Sequence, residues 1–115
     1  MPPKKNPLGL NALQLKTLVL LQALAKLDDY SKPGETEGER TITALPHAHG
    51  DHFHLGEATV RASDATGLNN QAVWTVLERK GLAKTNFPQS ATITVEGLAY
   101  DTGIADEILH HHAHH

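Results

Sequence analysis

The chain has 115 residues, of which 39% are hydrophobic and 4% aromatic, so we expect one modest core built mainly from aliphatic side chains. It contains no cysteine, which excludes disulfide bridges, thiolate zinc sites and cysteine nucleophiles. Its net charge is −3, whereas a typical nucleic-acid-binding domain is strongly basic. Residues 69–92 have a basic balance, with three basic residues against one acidic residue.

Membrane and catalytic signatures are missing from the sequence. No apolar run approaches the roughly 20 residues that a membrane-spanning helix needs. The Pro-Pro-Lys-Lys start lacks the apolar core of a signal peptide. A glycine-rich phosphate loop of the usual spacing is also missing. We therefore expect a cytoplasmic protein that has no membrane partner and is not an enzyme.

The first predicted helix follows a proline-rich start, residues 1–9, which is expected to be disordered. Asn11 is an N-cap candidate, and Gln14 three residues later completes a capping box. A spacing of three and four residues, typical of one face of a helix, relates Leu10, Leu13, Thr17, Leu20, Leu24 and Leu27. Neighbouring leucines widen this stripe, which favours either a buried central helix or a homodimer formed through this helix.

The following segment is predicted to be irregular at first and then to form strands. Residues 31–40 indicate a polar, flexible connector. Two short strands are expected over 41–45 and 52–55, paired as one hairpin, with His52 and His54 on one face of the second strand. The Ala-rich segment 57–66 indicates a short helix.

A second long helix is predicted from Asn69 to Lys80, and Gly81 ends it. Its buried stripe comprises Ala72, Val73, Val76 and Leu77, whereas the other side presents Gln71, Trp74, Thr75 and Glu78. Strands are expected over 82–86 and 91–95. The remaining residues 96–110 are predicted to be helical, with an interruption at Gly103.

Three short segments carry a resemblance to a known family. Residues 65–70 look like the turn of a helix-turn-helix motif. Residues 76–82 resemble the end of a recognition helix where it enters the wing, and residues 93–98 resemble the second wing strand with its Thr-x-x-Gly pattern. Together they resemble a winged helix-turn-helix domain of the MarR type over residues 57–102.

That resemblance implies an α+β fold with a three-helix core and a small β-hairpin wing. Its single domain would cover residues 10–109, with 31–56 as a histidine-rich insertion that departs from the family pattern. The ends, residues 1–9 and 110–115, would be disordered.

In winged helix-turn-helix proteins the recognition helix enters the major groove of double-stranded DNA and the wing contacts its backbone. The resemblance therefore implies that Asn70, Gln71 and Thr75 read base edges. Phosphates would be bound by Arg79, Lys80 and Lys84. The expected function is a small transcriptional regulator. An alternative is a protein-protein interaction module that binds its partner through Trp74.

All nine histidines fall in two short stretches, residues 47–54 and 110–115. Histidines two apart in a strand point the same way, so the first stretch could bind zinc, nickel or copper. The candidate ligands are His47, His49, His52 and His54, with Asp51 adding an oxygen. The alternatives are a pH-sensitive contact and a solvated polar loop. The second stretch has the composition of a metal-binding tail or a purification tag.

Residues 47–52 also resemble the His-x-His-x-Asp-His motif of metallo-β-lactamase-fold hydrolases. That fold needs roughly twice this chain length and further ligands on later loops. No histidine occurs between His54 and His110. We therefore interpret the match as coincidental.

Overall fold

The computed structural model describes residues 6–48 and 50–110 in full, together with the backbone of residue 111. Over these residues the chain forms four α-helices and one 3-10 helix: α1 (Ala12–Ala25), the 3-10 helix Ala62–Asn69, α2 (Gln71–Arg79), α3 (Val95–Ala99) and α4 (Ala105–Ile108). The same residues form seven strands: β1 (Ser31–Pro33), β2 (Arg40–Ile42), β3 (His52–Leu55), β4 (Ala58–Arg61), β5 (Ala83–Asn86), β6 (Ser90–Ile93) and β7 (His110–His111). The predicted mixed α+β class is confirmed.

The strands form two antiparallel sheets. Sheet A has the strand order β1-β2-β6-β5, and sheet B has the order β3-β4-β7. The predicted hairpin between residues 41–45 and 52–55 is wrong, since β2 pairs with β1 and β6, and β3 pairs with β4. A tight turn explains the difference. Gly56 has a φ of +59°, which lets β3 reverse directly into β4 through two residues.

Helix α1 forms the centre of the hydrophobic core. The predicted capping box is present: the Gln14 backbone N–H donates to Asn11 Oδ1 at 2.9 Å, and the Asn11 N–H donates to Gln14 Oε1 at 3.0 Å. Leu18, Leu20 and Leu24 are fully buried. The chain itself therefore covers the apolar surplus of α1. Of the two alternatives, the buried central helix describes the structure, and the leucines expected to form a homodimer are already packed.

The predicted helix over residues 57–66 is wrong. Its first part is strand β4, in which Ala58 and Val60 are buried while Thr59 and Arg61 face outward. This two-residue alternation against β3 outweighs the helix propensity of alanine. The second part belongs to the 3-10 helix, which packs on α1 with Gly67 directly against the side chain of Thr17.

The later elements lie close to the bounds predicted from the sequence. Helix α2 begins after Asn70 rather than Asn69, and the β5–β6 hairpin lies within a residue or two of its predicted bounds. The last helical region is interrupted where Gly103 adopts a φ of +76°. Among the helices of residues 6–48 and 50–111, none is long and apolar enough to cross a membrane.

Three segments are more ordered than their composition predicts. Residues 6–9, expected to be disordered, form a turn in which the Tyr100 hydroxyl donates to Asn6 Oδ1 at 2.7 Å. Residues 31–40 form most of the β1–β2 hairpin rather than a flexible connector. The tail begins as strand β7, so the prediction of disorder is wrong for residues 110–111. Residues 1–5 and 112–115 lie outside the described part.

Candidate nucleic-acid interface and histidine sheet

Helix α2 has one buried and one exposed face. Val73 and Leu77 lie in the core, with 5% and 0% of their surface exposed. Gln71, Thr75 and Arg79 are exposed on the other side. Their spacing of four residues places them one above the other over two helical turns. The helix therefore presents an amide, a hydroxyl and a guanidinium group along one exposed face.

Trp74 does not belong to this exposed face, and the prediction that it binds a partner is wrong. Its side chain is buried, with 4% of the residue exposed. The ring contacts Phe87 edge to face, with the ring centroids 4.9 Å apart. The predicted buried stripe is wrong for Ala72, which is exposed. The buried residues of α2 are Val73, Trp74 and Leu77, because the loop between β5 and β6 supplies an aromatic neighbour for Trp74.

Asn70 caps the start of α2. Its Oδ1 atom accepts a hydrogen bond from the backbone N–H of Ala72 at 3.0 Å. The residue is exposed, but this bond fixes its carboxamide against the first helical turn. Of the three predicted base-reading residues, Gln71 and Thr75 project from the helix itself, whereas Asn70 has a structural role as well.

The three predicted phosphate-binding residues differ in their environments. Arg79 and Lys80 are exposed and make no ion pair with any described residue. Lys84 has a carboxylate partner: its Nζ atom lies 3.0 Å from Oε2 and 3.3 Å from Oε1 of Glu39. Glu39 is only 7% exposed, so its charge is held in place beneath the lysine. No local sequence pattern indicates that Glu39 and Lys84 pair.

Glu78 is the acidic residue on the exposed side of α2. Its Oε1 atom accepts a hydrogen bond of 2.7 Å from the hydroxyl of Thr85 on β5. The contact ties the end of α2 to the first strand of the hairpin. It also directs the carboxylate toward β5, so the charge is partly satisfied within the chain.

The histidines of β3 lie as predicted on one face. Phe53 and Leu55 point into the core, with 5% and 4% of their surface exposed, while His52 and His54 point outward. The two imidazole rings meet edge to face with centroids 5.1 Å apart. The Nδ1 atom of His54 lies 3.5 Å from the hydroxyl of Thr59 on β4.

The described residues do not bring the other predicted metal ligands together as one group. Asp51 lies with Oδ1 at 3.3 Å from Nδ1 of His52. His47 is exposed on the irregular segment before β3, and His49 lies outside the described residues. Among the residues that the structure describes, no three His, Asp or Glu side chains form a ready ligand group. The predicted set of four converging histidines stays a prediction.

Strand β7 brings His110, which is not among the predicted metal ligands, into sheet B. In the register of sheet B, Thr59 pairs with His54 on one side and with His110 on the other. The Nε2 atom of His110 is buried and has no hydrogen-bond partner among the described residues. The only sequence signal was the composition of the tail, which does not indicate strand pairing.

The molecule thus offers two chemically different surfaces, the polar face of α2 and the imidazole face of sheet B. No protein-family profile, curated protein sequence or solved structure matches the chain. The functions of these surfaces follow from their own geometry and chemistry.

Proposed function

We propose that the chain is a winged helix-turn-helix DNA-binding protein, with α2 as recognition helix and β5–β6 as wing. The element order supports this assignment, because α1, β2, the 3-10 helix, α2 and the β5–β6 hairpin follow one another as in that fold. Sheet A supports it as well, since β6 pairs with both β2 and β5. Strand β1 is then an addition before β2, and the β3–β4 hairpin is an insertion between β2 and the 3-10 helix.

The observation that carries the proposal is the exposed polar face of α2. A helix fits the major groove, which is about 12 Å wide and displays a distinct pattern of donors and acceptors for each base pair. Gln71 and Thr75 supply groups of the right kind to read that pattern. Arg79 follows one turn later, where the helix leaves the groove and approaches a phosphate or a base edge.

The electrostatic part of the interface is small. Arg79 and Lys80 are the cations of α2 that have no carboxylate partner in the described part of the chain. Lys84 is largely neutralised by Glu39, so it contributes less than its position in the wing predicts. We therefore expect about two phosphate contacts per chain, which gives a salt slope near −2.

The proposed role is that of a small transcriptional regulator. Base reading by two side chains is too little for high sequence specificity, because each good bidentate contact contributes only about 1–3 kcal/mol of discrimination. The wing and Lys84 would contact the DNA backbone, which positions the protein on the duplex but does not distinguish base sequences.

Binding to duplex DNA tests the proposal. Fluorescence anisotropy with a pool of randomised duplexes should show binding that weakens roughly tenfold between 50 and 200 mM salt, as two phosphate contacts predict. The double variant Arg79→Gln with Lys80→Gln should lose most of that binding.

A matched control is Lys26→Gln, which removes an exposed charge from the end of α1, beside sheet B rather than the β5–β6 hairpin. The control should bind as the wild type does. Binding that is insensitive to salt, or that survives the double variant, would contradict the proposal.

A further inference from the structure

We propose that a cavity beside Trp74 binds a small uncharged molecule that has an apolar body and a hydrogen-bond acceptor. The acceptor bonds to the indole N–H of Trp74, and the apolar body packs on aliphatic side chains of the core. The inference rests on the shape and lining of this cavity and on one unpaired polar atom in its wall. It is independent of DNA binding.

The cavity, here called the Trp74 cavity, has a buried floor and an exposed rim. Its floor comprises Leu21, Ile42 and Trp74, all three of which are buried. Its rim includes residues 43–45, which follow β2, and residues 88–89, which lie between β5 and β6. The cavity is therefore a recess that opens to solvent at one end and reaches the hydrophobic core at the other.

The volume of the Trp74 cavity sets the size of its ligand. That volume is about 240 Å³. An apolar cavity of about 150 Å³ holds one benzene molecule, so this one accommodates a six-membered ring with a short substituent. Pockets for drug-sized ligands are larger, at about 300–1,000 Å³. We therefore expect a ligand smaller than a typical cofactor.

The lining of the Trp74 cavity favours an uncharged ligand. Among the described residues, none that lines it is a lysine, arginine, histidine, aspartate or glutamate. An ionised ligand would lose its hydration there without gaining an opposite charge, which is strongly unfavourable. Leu21, Ile42 and Leu45 offer aliphatic contacts instead. The body of the ligand is therefore apolar.

The indole N–H of Trp74 is the polar group that such a ligand satisfies. Its Nε1 atom is buried and has no hydrogen-bond partner in the described part of the chain. An indole nitrogen only donates, and buried donors of this kind usually have an acceptor. The other floor residues, Leu21 and Ile42, have aliphatic side chains that cannot accept. A carbonyl or ether oxygen of the ligand fills this role.

The indole ring is held in a fixed orientation. Phe87 packs against it edge to face, with the ring centroids 4.9 Å apart. Val73 and Leu77, its neighbours on the buried side of α2, lie in the core. The N–H therefore keeps one direction, and a single fixed donor in an apolar pocket orients the ligand.

Binding requires a small movement of the cavity wall. Nε1 of Trp74 is not in contact with solvent, so the acceptor reaches it only when part of the wall shifts. Gln89 is exposed, while its backbone N–H donates to the Asn86 carbonyl at 2.8 Å. Its side chain can therefore turn outward while the backbone of the loop keeps its shape.

The test is an NMR titration of the full-length, isotope-labelled chain with acetophenone. This uncharged probe combines a six-membered ring with a ketone oxygen. Trp74 is the one tryptophan of the sequence, so a single indole N–H resonance reports on the site. We expect this resonance to shift saturably, together with the amide resonances of residues 43–45 and 89–90.

A second probe isolates the hydrogen bond. α-Methylstyrene has the shape of acetophenone, with a methylene group in place of the ketone oxygen. The ratio of the two affinities is measured in the wild type and in Trp74→Phe, which lacks the N–H. The preference for acetophenone should fall by about threefold to tenfold in the variant, as loss of one hydrogen bond predicts.

A matched pair of variants tests the location. Ala44 and Ala48 are exposed residues of the same irregular segment, but Ala44 lines the Trp74 cavity and Ala48 lines a neighbouring one. Ala44→Leu narrows the Trp74 cavity and should weaken acetophenone binding by tenfold or more. Ala48→Leu should leave it unchanged. Both variants remain informative if Trp74→Phe fails to fold, which circular dichroism will show.

Three results would overturn the proposal. The first is an indole resonance that does not shift up to the solubility limit of acetophenone. The second is an equal preference for acetophenone in the wild type and in folded Trp74→Phe. The third is equal binding by Ala44→Leu and Ala48→Leu. None of these results bears on DNA binding, which the salt titration tests separately.

Discussion

Sheets A and B have the same construction, but their outer faces carry different side chains. Each is antiparallel and buries one face in the common core. The outer face of sheet A carries a row that runs across all four strands, Lys32, Thr41, Thr92 and Lys84. The outer face of sheet B carries the row His54, Thr59 and His110. In both rows, threonines lie between basic side chains.

The two rows differ in the hydrogen-bond and ionic partners of their polar atoms. In sheet A the hydroxyls of Thr41 and Thr92 bond to each other at 2.9 Å, and the buried Glu39 neutralises Lys84. In sheet B the Nε2 atom of His110 is buried without a hydrogen-bond partner in the described residues. The threonines and Lys84 of the sheet A row are thus paired within the chain, although Nε1 of Trp74 beneath sheet A is, like Nε2 of His110, buried without a hydrogen-bond partner among the described residues.

The largest expected effect tests whether the two sheets share one core. Trp74 lies under sheet A and Phe53 under sheet B, and both are about 95% buried. Trp74→Ala and Phe53→Ala should each lower the free energy of unfolding by about 3–5 kcal/mol. Urea denaturation should show one transition for either variant. Two separated transitions would mean that the sheets unfold independently. Unchanged stability of Trp74→Ala would contradict the burial of Trp74.

A smaller effect is expected where β6 of sheet A ends and α3 begins, at the N-cap residue Thr94. The Thr94 hydroxyl accepts a hydrogen bond from the Gly97 N–H at 3.0 Å and donates one to the Gly81 carbonyl at 2.8 Å. Thr94→Ala should therefore cost about 1–2 kcal/mol of stability, as for other N-cap losses. Thermal unfolding measures this, with the exposed Glu96→Ala in the same helix as control. Equal stability of the two variants would refute the capping role.

The smallest effect sharpens the role of Glu39 in DNA binding. Glu39→Gln keeps the shape of the side chain but removes the charge that neutralises Lys84. The freed lysine should add one phosphate contact, so the salt slope should steepen by about one. Anisotropy titrations at several salt concentrations measure the slope. A slope identical to that of the wild type would exclude Lys84 from the interface.

The sequence predicted the elements whose signals are local. The capping box at Asn11, the burial of Val73 and Leu77 in α2 and the β5–β6 hairpin are all encoded within a few residues. Strand β4 was missed because its alternation is visible only against β3, and β7 because it depends on pairing with a distant strand.

The candidate sites also combine features that have a local sequence signal with features that depend on distant residues. The exposure of Gln71, Thr75 and Arg79 follows from helical spacing and was predicted. The burial of Trp74 depends on Phe87, which lies in the next loop. The neighbourhood of His54 and His110 depends on register across three strands, which no local pattern of histidines reveals.

The most direct test of the DNA-binding proposal is amide chemical-shift mapping by NMR during titration with a duplex DNA. DNA should perturb α2 and the β5–β6 hairpin, with Gln71, Thr75 and Arg79 among the largest shifts. DNA-induced shifts that are undetectable, or that fall on sheet B instead of α2, would contradict the account.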